Sequence, residues 1–309
     1  MKYVQYVNSL IKDAVKANGS AVLFGQNIDA GSCLSGLTRG VSDVNQGMTL
    51  NTPNVENTLV GVGFGLMLNG VPSVFFMKQL DFLLLGIDHL VNTYNIIRQS
   101  QPDASFTIFP VTVDSGYEGP QAALNNFDDF CSIAGIEGFS FTNKADSEKI
   151  IKEYMFKPGF RILSTGQRLL KLDTLELDMV YQEPQYKFFQ YAKGEAVSIV
   201  CFNHALAYGV ELKDYLAKEG GSASLFSINS HLHSNYDYIL EDISKTRKLV
   251  IIDDSKSRNR LSDRFLAEVL ETCELEMKMV IVPELCADMF YPRADTLEID
   301  YHNIVKDIL

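Results

Sequence analysis

Apolar and polar positions along the first half alternate between two periods, and the alternation predicts helix and strand in turn. Residues 3–17 carry apolar side chains at helical intervals, AVLFG (21–25) is a short continuous apolar run, and PNVENTLVGVGFGLMLNG (53–70) reads as a helix. Pro53 falls at a favoured first helical position, and Gly70 is a stop. VPSVFFM (71–77) predicts a buried strand, LLLGIDHLVNTYNIIRQS a second apolar helix and FTIFPVTV (106–113) another strand; DSEKIIKEYMF and GFRILST add a further pair. Strands spaced by helices of this length imply a parallel, doubly wound α/β sheet. Residues 171–194 break the rhythm. It restarts with AVSIVCF and runs through four strands and three intervening helices to KMVIVP, predicting a second, smaller α/β domain. The pattern divides the chain into 1–172, a linker at 173–194, and 195–309.

Composition narrows the function classes. A chain of 309 residues with 46% hydrophobic and 21% charged residues is ordinary for a soluble globular protein. A net charge of −12 argues against nucleic acid and against an anionic membrane surface. The five cysteines have no CxxC spacing, so reduced thiols in a cytoplasmic protein are expected. The first 19 residues read as an amphipathic helix rather than a signal peptide, and no run reaches the length of a membrane span. None of the five histidines has zinc-ligand spacing, so no metal ligands are assigned. His204, just after a strand of the second domain, has two readings, a satisfied surface histidine, which is favoured, or a residue reaching a domain interface; His231 and His233 read as members of a solvated loop.

The unusual chemistry lies in 51–98. Glu56 is the only acid between Asp43 and Asp81, in a stretch otherwise so apolar that its burial without a partner would be costly. GVGFGL lacks the GxGxxG spacing, so Gly61, Gly63 and Gly65 read as packing residues at a subunit interface. The order of a lone glutamate opening a glycine-dotted helix, a strand, an Asp-Phe pair and a second apolar helix resembles the pyrimidine-binding domain of thiamine-diphosphate enzymes, closest to 2-oxo acid dehydrogenase beta subunits and transketolases. GQNIDAGSCLSGLTRGV (25–41), DSGYEGPQAALNNF (114–127) and the closing YPRADTLEIDYHNIVKDIL are similar to further segments of that superfamily. The second domain resembles the transketolase C-terminal domain, with VIIDDS in the place of the usual VEE step.

The resemblance implies roles. Glu56 would hydrogen-bond a ring nitrogen of the cofactor's aminopyrimidine, Phe82 would stack on that ring, and Asp81 would belong to the same cofactor-binding step. Gln121 and Asn125 become candidate substrate contacts, because Gln121-Ala122 stands where the family has Thr-His. Gln26-Asn27 replaces a usual Glu-Asp pair, and Gln26 is a further substrate candidate. No GDG motif occurs, so Mg²⁺ and the diphosphate would be anchored mainly by an alpha-type partner chain carrying it. The expectation is a beta-type subunit that cleaves a bond next to a carbonyl, by ketol transfer or by 2-oxo acid decarboxylation with acyl transfer. It would be active only with its partner, in a two-fold heterotetramer. The rival expectation is a non-catalytic scaffold or regulatory subunit that kept the fold.

Overall fold

The computed structural model describes residues 1–115, 119, 121, 124–283 and 297–309. Cys286, most of the segment 116–123 and residues 291–296 of the closing segment therefore lie outside the described residues. The first domain runs α1 (Tyr3–Asn18), β1 (Val22–Gly25), β2 (Met48–Asn51), α2 (Glu56–Leu68), β3 (Ser73–Met77), 3-10 turns over Leu80–Gly86, a π-helical turn over His89–Thr93, and α3 (Tyr94–Ile97). It continues through β4 (Ser105–Thr112), α4 (Phe127–Ala134), β5 (Gly138–Ser140), α5 (Lys144–Tyr154), β6 (Gly159–Gly166) and α6 (Gln167–Leu170). Its six strands are all parallel, in the order β2-β1-β3-β4-β6-β5. Every residue of β3, β4 and β5 is buried, as suits parallel strands covered on both faces.

The second domain contains β7 (Tyr181–Gln182), β8 (Phe188–Ala192), β9 (Val197–Phe202), α7 (Leu206–Lys218), β10 (Ala223–Ile228), α8 (Asp237–Thr246), β11 (Lys248–Asp253), α9 (Leu261–Thr272), β12 (Met277–Ile281) and α10 (Tyr301–Ile308). The sheet order is β12-β11-β9-β10-β8-β7, with β8 antiparallel to both β10 and β7. Residues 181–192, inside the stretch expected as a linker, thus form a hairpin at the edge of the second sheet. A hairpin has no helix–strand rhythm to detect, and its turn puts Tyr186 at φ 56°.

Two helices differ from expectation. α2 begins at Glu56 rather than Pro53, because Val55 holds φ −140°, ψ 55°, outside the helical region. The helix expected after the Asp-Phe pair breaks into 3-10, π and α turns, with Gly86 at the first break. A glycine in a helix interior weakens it, and this one lies against α2.

Candidate functional site

The first sheet reverses its direction of winding between β1 and β3, because β2 lies on one side of β1 and β3 to β5 on the other. Ligands of open α/β sheets bind beyond the carboxyl ends of the strands at such a point. There the chain forms a recess lined by Gln26, Pro53, Glu56, Leu59, Phe75, Phe76, Met77, Lys78 and Phe82.

Each element delivers one part of the recess. β1 ends at Gly25, where a Cβ would overlap the Phe76 carbonyl oxygen, so only glycine lets the two strand ends close and places Gln26 at the rim. β3 supplies the floor, with Phe75 stacked on Phe24 at 5.2 Å. α2 supplies Glu56 from its first turn. Glu56 is only 7% exposed, yet among the described residues no hydrogen bond or ion pair reaches its carboxylate. A buried carboxylate without a partner is costly, so this one calls for a donor beyond the described residues. Across the recess Phe82 is half-buried and keeps part of its ring available. Asp81, by contrast, has its side chain buried in the turn, and its carbonyl accepts from Gln121 Nε2 at 3.2 Å. Gln121 therefore stands beside the Asp-Phe step. Lys78 is an exposed cation at the rim, which sequence reasoning passed over; its position after a buried strand was the available signal.

Asn125 goes elsewhere. It is fully buried, donates to the Asp254 carbonyl at 2.7 Å and accepts from Asn203 Nδ2 at 3.0 Å. These bonds belong to a polar seam between the domains. Arg168 bridges the seam: its backbone N–H donates to Asp114 at 2.7 Å, and its guanidinium reaches Asp254 at 2.5 Å and Asp114 at 3.7 Å. Burial pushes the Asp114 carboxyl up to about 6, against the lowering pull of Arg168. His204 is buried in this seam rather than on the surface, and burial holds its imidazole well below the usual value. His231 is likewise buried and bonds Asp128 at 2.5 Å, whereas His233 pairs with Glu268 at 2.8 Å. Short-range turn signals could not show that a second domain covers these loops.

The glycines of α2 pack mostly inward. A Cβ at Gly61 would meet His89 Nε2 at 2.8 Å, and one at Gly63 would overlap the Phe106 ring. Only Gly65 faces open space, with Val62 and Leu68 exposed nearby. Among the described residues no group of three or more His, Cys, Asp and Glu side chains could hold a metal ion, and no helix is long and apolar enough to cross a membrane.

No protein-family model matches the chain. It is similar to the mitochondrial pyruvate dehydrogenase E1 component subunit beta of Dictyostelium discoideum, at 22% identity over 94% of this chain and 84% of that one. It is also similar to the 2-oxoisovalerate dehydrogenase subunit beta of Bacillus subtilis, at 20% identity over 96% and 93%. In fold it resembles a split-gene transketolase described as an inactive β4 tetramer, with TM-score 0.67, 15% identity and coverage of 92% and 89%. A transketolase from Campylobacter jejuni superposes with TM-score 0.70 at 11% identity, covering all of this chain and 44% of that one.

Proposed function

We propose, for a chain that is a beta-type member of the thiamine-diphosphate-dependent transketolase and 2-oxo acid dehydrogenase superfamily, that it is the pyrimidine-binding half of a two-chain enzyme. The enzyme cleaves a bond next to a carbonyl and passes the acyl or ketol fragment to an acceptor. One observation carries this reading: a buried carboxylate with no hydrogen-bond partner among the described residues and a half-buried aromatic ring line one recess at the sheet's switch point.

Those residues fit the aminopyrimidine of thiamine diphosphate. When bound, the cofactor supplies an electron sink beside the substrate carbonyl. The Glu56 carboxylate would hold a pyrimidine nitrogen by a hydrogen bond, and its charge would favour the ring form that can take up a proton. Phe82 offers its face for offset stacking. Leu59, Phe75, Phe76 and Met77 keep water away, which strengthens the bond to Glu56. Gln26 and Gln121 are the candidate polar contacts for substrate. Asp81 acts through the backbone that carries Phe82, and Asn125 serves the domain seam. The Mg²⁺ and diphosphate contacts fall to a partner chain with a GDG segment, in a two-fold heterotetramer.

The test uses the chain assembled with that partner. Glu56→Gln keeps the shape but not the charge, so exchange of the thiazolium proton, followed by quenched-flow NMR, should slow by about 10²-fold or more. An unchanged rate would remove Glu56 from the chemistry and favour the scaffold role. Calorimetry adds a second measurement: the isolated chain should bind thiamine diphosphate far more weakly than the pair.

A further inference from the structure

We propose that the contact between Gly86 and Val60 sets the spacing between Glu56 and Phe82, making both of them positioning residues; the inference rests on the function proposed above. Val60 lies one helical turn beyond Glu56 on α2, and Gly86 lies four residues beyond Phe82 in the 3-10 segment. The two contacting residues therefore sit four positions beyond two residues that line the same recess. A Cβ at Gly86 would come within 2.8 Å of Val60 Cγ2 and 3.7 Å of the Glu56 carbonyl oxygen. Val60 cannot yield easily. It is wholly buried in the same apolar cluster as Phe64, Leu83 and Leu90, and β-branching leaves it few rotamers.

The packing is reciprocal. The next residue of α2, Gly61, meets the ring of His89, three residues beyond Gly86 in the π-helical turn that follows the 3-10 segment. Each element thus presents a glycine to a side chain of the other, and the two contacts hold the segments at fixed separation. Adding bulk at either contact moves the segment that carries Phe82 away from the turn that carries Glu56.

The experiment uses the chain assembled with its partner, carrying 4-fluorophenylalanine at position 82, and millimolar thiamine diphosphate with Mg²⁺ as probe. Stacking should move the fluorine resonance of the parent chain upfield through the ring current. Gly86→Ala should lose more than half of that shift at equal probe concentration, and Val60→Ala in the same chain should restore it. Val60→Ile crowds the same contact from the other side and should repeat the loss, which keeps the test alive if Gly86→Ala does not fold. Thermal melting is recorded in parallel, because a merely structural glycine would lower the melting temperature and leave the shift intact. A full shift in folded Gly86→Ala, or a loss that Val60→Ala does not restore, overturns the positioning role alone. A parent chain whose resonance does not respond to the probe overturns the proposed function and this inference together.

Discussion

Asp146 shows at single-residue scale how polar burial is organised here. It is completely buried at the start of α5 and accepts from the Thr142 and Asn143 backbone, the Asn143 side chain at 2.8 Å and Asn229 of the second domain at 3.0 Å. Burial nevertheless dominates and pushes its carboxyl up to about 6. The folded chain therefore holds this proton where the unfolded chain, near the ordinary value, has lost it. Folding then binds the extra proton between about pH 4 and pH 6, and the contribution to stability declines as pH rises through that window. Asn at 146 mimics the neutral form at every pH. The stability advantage of the parent chain over Asp146→Asn should shrink by roughly 3 kcal/mol between pH 4 and pH 7, as two pKa units imply. Urea unfolding at the two pH values measures it; a gap that widens with pH would contradict the assignment.

The α2 helix separates internal from external use of glycine at the scale of one element. Gly63 faces Phe106, whose ring is held edge-on by Phe64 at 5.1 Å and against Phe160 at 5.2 Å. That ring has nowhere to go, so Gly63→Ala should destabilise by about 1–3 kcal/mol through overpacking. Gly65 meets nothing within 4 Å, and Gly65→Ala should stabilise the isolated chain by up to about 1 kcal/mol through helix propensity. Opposite signs in urea unfolding are the expected result; equal costs would show that α2 is placed differently. If Gly65 is where another chain approaches, the same alanine should weaken assembly while it strengthens the monomer. The expectation that all three glycines serve a subunit interface thus gives way to two internal contacts and one open position.

At the scale of the whole molecule, the two sheets are joined through polar groups at their strand ends rather than through a flexible tether. Asp254, at the end of β11, accepts from Arg168 and from the Asn203 side chain, while its carbonyl takes the Asn125 amide. Arg168→Leu would leave Asp114 and Asp254 buried beside each other with no cation, at a cost of roughly 3 kcal/mol. Adding Asp254→Asn removes one of the stranded charges and should recover part of that loss. Additive effects in the double variant would show that the three groups do not act as a unit. Exposed Leu84, Leu85, Val62 and Leu68 leave apolar surface on the first domain. Light scattering with the partner chain should therefore report a heterotetramer, and a strict one-to-one pair would leave that surface without the two-fold role proposed for it.

The sequence by itself determined the alternation of helix and strand, the two α/β domains and the strand–helix placement of Glu56 and Phe82, because each of these depends on side-chain periodicity over a few turns. The motif order over 51–98 also singles out Glu56 and Phe82, and the separate stretch 25–41 singles out Gln26; all three line the recess. Tertiary structure alone decided the rest. The β7–β8 hairpin pairs with β10, a strand about 35 residues away, so its role has no local period. His204, His231 and Asn125 became buried because another domain covers them, which spacing along the chain cannot encode. Gly86 is required by a Val60 that is distant in sequence but touches it in space, and such reciprocal fit exists only once the elements have packed.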